Sequence, residues 1–265
     1  MSGSLRGRVG VITGASAGIG RAIARRLAEA GASLVLNARR EDRLRELAAE
    51  CQALGSGGAA VVGGDACEGE TIQAMLDGAV GAFGRAPDTV IVNAGRGLRG
   101  SPLSSDESEW EEVVRINLLA AARLLRAGAE RMIGEMEARE DGSPGDWPGH
   151  ARDIVVISST VGKHISPFSS MYGSTKFAAT AIAEAARREL GPKGIRVTAI
   201  HPGIVRSEFQ DVAGYDPVTF GQFMEKIGPV LEPDDVARAV AFIVGQPAHV
   251  HVNDIMIRPT RQEYP

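Results

Sequence analysis

Short apolar runs alternate with longer amphipathic segments along most of the chain. The apolar runs that predict β-strands cover residues 9–13, 34–36, 59–63, 89–92, 154–157, 196–200 and 255–257. Between them, apolar side chains recur at helical spacing, and the longest predicted helices cover about 108–136 and 172–190. Strands that alternate with helices predict a parallel sheet covered on both faces, so we expect a doubly wound, three-layer α/β fold. No linker or internal repeat divides the sequence, which predicts one domain over residues 1–265.

The first predicted strand is followed by a glycine-rich turn and then by a helix. The turn, TGASAGIG at 13–20, contains Gly14, Gly18 and Gly20 in a GxxxGxG pattern. Glycines at such a turn let the backbone approach a pyrophosphate closely, and the amide groups at the start of the helix attract its negative charge. The same spacing also occurs in plain loops and in helix packing. Its position between a first strand and a helix favours nucleotide binding.

Three side chains that could transfer a proton fall at the carboxyl end of the fifth predicted strand and on the helix after it. Tyr172 and Lys176 are four residues apart, so on a helix they share one face. An ammonium group close to a phenol favours the phenolate and would lower the tyrosine pKa from its usual value of about 10. Ser159 follows the apolar run 154–157 after one intervening residue, Ser158. The alternative is a solvated Tyr–Lys pair without a chemical role, and only the rest of the chain can decide between the two.

Composition and charge narrow the class of protein. The chain has 265 residues, 44% of them hydrophobic, and a formal net charge of −4 without a long basic run, which disfavours nucleic acid and anionic membranes as partners. No signal-type segment and no apolar run long enough to cross a bilayer is present. Cys51 and Cys67 have neither metal-ligand nor disulfide-framework spacing. We therefore expect a cytoplasmic protein without a metal site.

Seven motifs occur in a fixed order along the chain. They are TGASAGIG at 13–20, Asp65, NAG at 93–95, Asn117 within RINLLAA, ISS ending at Ser159, YGSTK at 172–176 and PGIVRS at 202–207. In this ordered set, the chain resembles the short-chain dehydrogenase/reductase (SDR) family over nearly its whole length. The resemblance implies a Rossmann-like fold and a nicotinamide dinucleotide cofactor.

The resemblance also implies which residues form the site. The catalytic residues would be Ser159, Tyr172, Lys176 and Asn117, with Ser159 preferred over Ser158 because it lies thirteen residues before the tyrosine. The implied cofactor-binding residues are Gly14, Ser16, Gly18, Ile19, Gly20, Arg39, Arg40, Asp65, Ala66, Asn93, Ala94, Gly95, Tyr172, Lys176, Pro202, Gly203, Val205 and Ser207.

The implied reaction is hydride transfer between a nicotinamide and a small carbonyl or secondary alcohol. In the reducing direction Tyr172 would donate a proton to the carbonyl oxygen while Ser159 hydrogen-bonds that oxygen. Lys176 would also bind the nicotinamide ribose, and Asn117 would hold a water that connects Lys176 to solvent. The alternative for Asn117 is a side chain that only satisfies backbone groups. The chain departs from the family where Val92 replaces the usual first asparagine, which leaves Asn93 alone to brace the sheet.

The residues after the second strand favour NADP over NAD. An NAD enzyme of this type places an acidic residue there, whereas this chain reads Asn37, Ala38, Arg39, Arg40, with no acid before Glu41. We expect Arg39 to pair with the 2′-phosphate, Arg40 to assist or to stack on the adenine, and Asn37 to accept the ribose hydroxyl. The alternative is that both arginines are solvated residues at the start of a helix, although that end repels cations.

The substrate would lie under a segment that covers about 204–230. This segment is rich in aromatic residues and predicts either a lid over a small apolar ligand or an ordinary pair of surface helices. The C-terminal sequence resembles that of NADP-dependent 3-hydroxy-acid and serine dehydrogenases, which adds hydroxy acids to the candidate substrates. Arg96, Arg99, Arg206 and His164 could then recognise a carboxylate or could simply be solvated. We leave residues 139–152, which read as a surface loop, without a role.

Two other classes of protein are alternatives to an SDR oxidoreductase, and the resemblance also bears on the assembly state. A catalytically silent binding protein of this fold normally loses the tyrosine or the lysine, and a nucleotide-sugar epimerase or dehydratase usually has a GxxGxxG turn and a larger C-terminal domain. NAD-dependent use of the same chemistry is a further alternative. In the family the helices corresponding to 108–136 and 172–190 form a dimer interface, so we expect a homo-oligomer, either a dimer or a tetramer.

Overall fold

One parallel sheet organises the chain. The computed structural model describes residues 4–138 and 150–263. Its seven strands lie in the order β3-β2-β1-β4-β5-β6-β7. They are β1 Val9–Thr13, β2 Ser33–Ala38, β3 Gly58–Gly63, β4 Thr89–Val92, β5 Arg152–Ile157, β6 Ile195–Pro202 and β7 Asp254–Ile257. Two of the predicted strands have the observed bounds, and the others are slightly longer than predicted.

Helices cover both faces of this sheet. They are α1 Gly18–Glu29, α2 Glu41–Ala53, α3 Gly69–Phe83, α4 Trp110–Val114, α5 Ala121–Glu137, α6 Ser170–Leu190, α7 Phe209–Val212, α8 Pro217–Ile227 and α9 Pro233–Val244. Helix α9 was not predicted, although its apolar residues have helical spacing and Pro233 occupies a favoured first position. The long helix expected over 108–136 is interrupted, because Arg115–Ala120 form a π-helical segment between α4 and α5.

Two hydrophobic cores lie on opposite faces of the sheet. Successive strand residues point to opposite faces, so Val11 and Ile12 of β1 enter different cores. The first core packs α1, α2 and α9 on the sheet, with Leu27 and Val240 among its buried side chains. The second packs α3, α5 and α6, with Met132 among its fully buried side chains. This arrangement confirms the three-layer, doubly wound α/β fold.

A buried ionic network joins the N-terminal ends of several strands. Asp153 in β5 accepts hydrogen bonds from Arg196 of β6, through Nε and Nη2, both at 2.8 Å. It also accepts one from Arg8 Nη2 at 2.8 Å, and Arg8 Nε bonds to Asp88 at 2.5 Å. Both carboxylates and Arg196 are almost fully buried. Each buried charge thus has an opposite partner, as burial in a low-dielectric interior requires.

The same network corrects the predicted loop over 139–152. Residues 139–149 lie outside the described part of the chain. Arg152, however, begins β5 and is buried, and Asp153 follows it in the strand. The hydrophobic pattern placed the start of this strand at residue 154, because Arg152 and Asp153 are charged and interrupt the apolar pattern before the run 154–157.

Candidate active site

A cavity of about 1940 Å³ lies outside the carboxyl ends of the strands. It extends from the turn after β1, past β4 and β5, to helices α7 and α8. The strand order changes direction between β1 and β4, and ligands of doubly wound sheets bind at this position. All the predicted cofactor-binding residues except Gly20 line this cavity. Asn117 lies behind the cavity wall and not in it.

The glycine turn is tightly packed against β4, and close approach explains two of its glycines. A side chain at Gly14 would place its Cβ 2.8 Å from Asn93 Nδ2, and one at Gly20 would place it 2.3 Å from the Gly14 oxygen. Asn93 Nδ2 donates to the Thr13 oxygen at 2.9 Å, so Asn93 ties the end of β4 to the end of β1. This contact is the brace expected of the single asparagine.

The start of α1 has the features of a site for a phosphate group. Its N-cap, Ala17, provides no side-chain acceptor for the first amide groups of the helix. Gly18 has a positive φ of 51°, and a Cβ there would extend to within 3.5 Å of Ser207, across the cavity. Free amide groups at a helix N-terminus, with open space in front of them, suit an anion. The residues present therefore fit the pyrophosphate of a dinucleotide.

Tyr172, Ser159 and Lys176 converge as the sequence predicts. Tyr172 and Lys176 lie on one face of α6, with Lys176 Nζ 5.8 Å from the centre of the tyrosine ring. Ser159 follows β5; its Oγ donates to the Pro202 oxygen at 3.4 Å, and its hydroxyl is near enough to the Tyr172 phenol to lower the phenol pKa. Lys176 Nζ donates to the Ile157 oxygen at 2.8 Å, which fixes its position at the end of β5. All three side chains line the cavity.

Burial dominates the pKa values of this group. Tyr172 packs among Leu98, Val113 and Val161, and this apolar environment raises the pKa of its phenol well above 10, while the nearby Ser159 hydroxyl opposes the shift. Burial also lowers the pKa of Lys176 from 10.5 to about 8. The predicted lowering of the Tyr172 pKa by Lys176 is therefore wrong for the protein alone. The phenol keeps its proton at neutral pH, as a proton donor must.

Asn117 connects the loop after β4 to the catalytic helix. Its Oδ1 accepts from the Arg96 amide at 2.9 Å, and its Nδ2 donates to the Arg96 oxygen at 2.8 Å and to Thr175 Oγ1 at 3.1 Å. Thr175 Oγ1 in turn donates to the backbone carbonyl oxygen of Tyr172 at 2.7 Å. The side chain thus braces the loop after β4 against α6. It lies in the π-helical segment, a feature often found at functional sites.

The adenosine end of the cavity presents several cations. Arg39 is exposed and forms no ion pair with any residue in 4–138 or 150–263. Arg40 contacts Ser16 Oγ on the glycine turn through Nη2 at 3.2 Å, and its Nη1 pairs with Glu208 at 3.0 Å. Asn37 differs from the prediction, because it is fully buried and donates to the Val62 oxygen at 2.9 Å. Its side chain links β2 to β3.

Sequence reasoning missed two partners of the cofactor region. Asp65 pairs with Arg115 of the π-helical segment at 3.0 Å, and it accepts from the Cys67 amide at 3.0 Å. Gln262, near the C-terminus, accepts from the Ile204 amide at 3.0 Å and lines the cavity. Neither contact has a local signal in the sequence, since each joins segments that are far apart along the chain.

The segment over about 204–230, predicted to be either a lid or a pair of surface helices, forms α7 and α8 and lines the other end of the cavity. The Phe209 ring lies 5.4 Å from the Tyr172 ring, and the Tyr215 and Phe220 rings are 5.1 Å apart. Burial raises the pKa of the Tyr215 phenol, and Ser169 at the start of α6 lies near enough to oppose that shift. The segment thus lies next to the catalytic helix and offers aromatic surface to a ligand.

Of the four cations proposed to recognise a carboxylate, only one borders the cavity without an ion pair in the described residues. Arg96 pairs with Glu109, and Arg206 pairs with Glu232 at 3.1 Å. His164 is exposed and does not line the cavity. Arg99 is exposed, lines the cavity next to α7 and forms no ion pair with residues 4–138 or 150–263. It is the remaining candidate for contact with an anionic substrate group.

The fold and site define a class of protein. A glycine turn at the switch point of a parallel sheet, with a Ser–Tyr–Lys group beside it, is the arrangement of a dinucleotide-dependent oxidoreductase. The model for the short chain dehydrogenase family matches residues 8–216. The chain therefore belongs to the short-chain dehydrogenase/reductase family, whose members are enzymes that act on CH-OH groups with NAD(P).

Several known proteins are similar over nearly the whole chain. Dehydrogenase/reductase SDR family member 11 of Homo sapiens is 35% identical over 263 residues, which cover 97% of this chain and 96% of that protein. An alcohol dehydrogenase from the archaeon Thermococcus sibiricus, complexed with 5-hydroxy-NADP, is 30% identical with a TM-score of 0.80, covering 97% of this chain and 99% of that one. The 3-ketoacyl-(acyl-carrier-protein) reductase from Brucella melitensis, complexed with NADH, is 25% identical with a TM-score of 0.81, covering 97% and 99%.

These findings establish an NAD(P)-dependent oxidoreductase. The two solved structures contain an NADP derivative in one case and NADH in the other, so similarity alone does not select the cofactor. Among the described residues, no helix is long and apolar enough to cross a membrane, and no group of three or more potential metal ligands occurs.

Proposed function

We propose that this enzyme is an NADP(H)-dependent oxidoreductase that interconverts a small carbonyl compound and its secondary alcohol. The preference for NADP(H) over NAD(H) is argued from the charged residues that follow β2. Arg39 faces the cavity without a partner in the described chain, and Arg40 lies against Ser16. Residues 33–40, which form β2 and its end, contain no carboxylate that would repel a 2′-phosphate, and the two guanidinium groups of Arg39 and Arg40 could bind it.

In the reducing direction, the bound nicotinamide supplies a hydride to the carbonyl carbon. Tyr172 gives its phenolic proton to the carbonyl oxygen, so that carbonyl, hydride and proton together form the alcohol. Ser159 donates a hydrogen bond to the same oxygen while negative charge develops on it. The resulting phenolate recovers a proton from solvent before the next turnover. Its raised pKa favours this recovery.

Lys176 and Asn117 support the proton donor in different ways. The Lys176 ammonium is held by the Ile157 oxygen at 5.8 Å from the centre of the Tyr172 ring and would stabilise the phenolate that forms after proton transfer. It would also bind ribose hydroxyls. Asn117 keeps the Arg96 backbone next to this group, and we retain a water between Asn117 and Lys176 as the route for the proton.

The substrate end of the cavity favours an apolar substrate with one polar group. Phe209, Tyr215 and Phe220 supply aromatic surface near Tyr172, and such surface binds apolar ligands and excludes water. Arg99 borders the same space and would accept a carboxylate, which keeps hydroxy acids among the candidates.

The assembly and location belong to the same proposal. We propose a homo-oligomer, dimer or tetramer, built through α5 and α6, and a mass by light scattering at micromolar concentration that equals the monomer would refute it. The unpaired state of Cys51 and Cys67 is compatible with a cytoplasmic location.

Steady-state kinetics test the reaction and the cofactor together. The enzyme is assayed with NADP(H) and NAD(H) against a panel of ketones, secondary alcohols and hydroxy acids, by absorbance of the reduced cofactor. We expect kcat/KM to be about 10- to 150-fold higher with NADP(H), the preference that one charge-assisted contact of about 1.5–3 kcal/mol supplies. Arg39→Ala should remove most of that preference, and Arg45→Ala, which removes an exposed cation of the same helix region, should retain it. Equal values for both cofactors would refute the NADP assignment.

A further inference from the structure

Glu208 joins the segment over the substrate to the adenosine end of the cavity. It directly precedes α7, and both of its carboxylate oxygens are engaged with arginines at the start of α2. Oε2 accepts from Arg40 Nη1 at 3.0 Å, and Oε1 accepts from Arg43 Nη1 at 2.8 Å. Glu208 also lines the cavity. One carboxylate thus holds two of the cations in the region proposed for the 2′-phosphate.

The position of this carboxylate has an electrostatic consequence. Arg40 Nη2 contacts Ser16 Oγ on the glycine turn, so the Arg40 guanidinium lies between the turn and Glu208. A phosphate dianion that binds Arg40 would come close to the Glu208 carboxylate. Either the two anions repel each other or Glu208 leaves the arginine, and both outcomes weaken binding of the phosphate. A nucleotide with a free 2′-hydroxyl does not meet this repulsion.

We propose that Glu208, which Arg43 also holds in place, is a cofactor-selectivity residue that competes with the 2′-phosphate for Arg40. It reduces the preference for 2′-phosphorylated nucleotides below the value that Arg39 and Arg40 would give alone. The inference rests on the proposed function in one respect, the binding of the 2′-phosphate at these arginines. It assigns to the segment before α7 an effect on cofactor choice in addition to its cover of the substrate.

Nucleotide fragments isolate this effect from catalysis. 2′,5′-ADP and 5′-AMP differ only in the 2′-phosphate and contain no nicotinamide, so their dissociation constants can be measured by calorimetry without any turnover. The selectivity is the ratio of the dissociation constant of 5′-AMP to that of 2′,5′-ADP. It is measured for the wild-type protein, for Glu208→Gln and for Asp211→Asn. Asp211 lies on α7, and its substitution removes the same charge away from the cavity lining and from both arginines.

We expect Glu208→Gln to raise this ratio at least about threefold at low salt, and Asp211→Asn to leave it unchanged, since exposed charge pairs have effects of this size. The increase should shrink at high ionic strength, because the pairs are partly exposed. A ratio that stays the same or falls in Glu208→Gln would overturn the proposal, as would an equal increase in Asp211→Asn.

The same titrations separate this inference from the proposed function. The wild-type ratio, with its loss in Arg39→Ala, reports whether the protein prefers a 2′-phosphate at all. The change between wild type and Glu208→Gln reports only the effect of Glu208. A wild-type protein that binds both fragments equally, combined with an increased ratio in Glu208→Gln, would refute the NADP preference while supporting the competition.

Discussion

Asp153→Ala should strongly destabilise the fold without touching the active site. The carboxylate receives three charge-assisted hydrogen bonds, two from Arg196 and one from Arg8. Its removal leaves Arg196, which is almost fully buried, without an anionic partner. Breaking such a buried pair costs about 3–5 kcal/mol. Three bonds of about 1.5–3 kcal/mol would sum to more, but the substituted protein keeps compensating contacts.

The remaining contacts explain why the lower range applies. Arg8 keeps its bond to Asp88, and Arg196 Nη1 still donates to the oxygens of Pro247 and Val250, at 2.9 and 2.8 Å. A loss of about 3–5 kcal/mol corresponds to a decrease of roughly 6–20 °C in the unfolding midpoint for a chain of this size.

The assay compares this variant with an exposed pair. Thermal unfolding is followed by circular dichroism for the wild type, for Asp153→Ala and for Glu41→Ala, which removes the carboxylate of the exposed Glu41–Arg45 pair. Glu41→Ala should lower the free energy of unfolding by about 1 kcal/mol or less. Because the network lies at the opposite edge of the sheet from Tyr172, kcat per folded Asp153→Ala molecule should stay near the wild-type value below the midpoint. Equal midpoints for the two variants would refute the reasoning.

Two further predictions concern Asn117, behind the cavity wall, and Lys176, in the cavity lining. Asn117→Ala should lower the free energy of unfolding by about 1–3 kcal/mol, measured by urea denaturation, because the Arg96 amide and oxygen lose their partner; an unchanged value would show that other groups satisfy them. Burial lowers the pKa of Lys176 from 10.5 to about 8, so the unfolded chain binds more protons between these values and folding is favoured as pH rises through this window. The thermal unfolding midpoint of the wild type, relative to that of Lys176→Met, should therefore increase as the pH is raised from about 8 to 10.5. A difference between the two midpoints that does not depend on pH would contradict the lowered pKa.

The sequence predicted well those features that depend on neighbouring residues. The apolar run 89–92 has the observed bounds of β4, because the polar residues Asp88 and Asn93 lie on either side of it. Tyr172 and Lys176 converge because helical spacing alone places them on one face. Predictions of this kind need only the period of a helix or a strand.

Features that depend on distant residues were missed or misjudged. β5 begins earlier than its apolar run, since Asp153 is buried only through arginines from other strands. The raised pKa of Tyr172 reflects apolar neighbours such as Val113 and Phe209, which the motif does not contain. The contact of Glu208 with Arg40 joins segments 168 residues apart. Long-range packing determines all three, and no local pattern encodes it.

The central claim is that Tyr172 supplies the proton for hydride transfer. It is tested most directly by the rate of reduced-cofactor oxidation in Tyr172→Phe, measured with the best carbonyl substrate of the panel under saturating conditions, beside the cofactor dissociation constant of the same variant. The substitution keeps the buried ring and removes only the hydroxyl. We predict a rate lower by about 10²–10⁴-fold, the usual contribution of a general acid, with unchanged cofactor affinity. A variant that retains more than about a tenth of the wild-type rate would contradict the account.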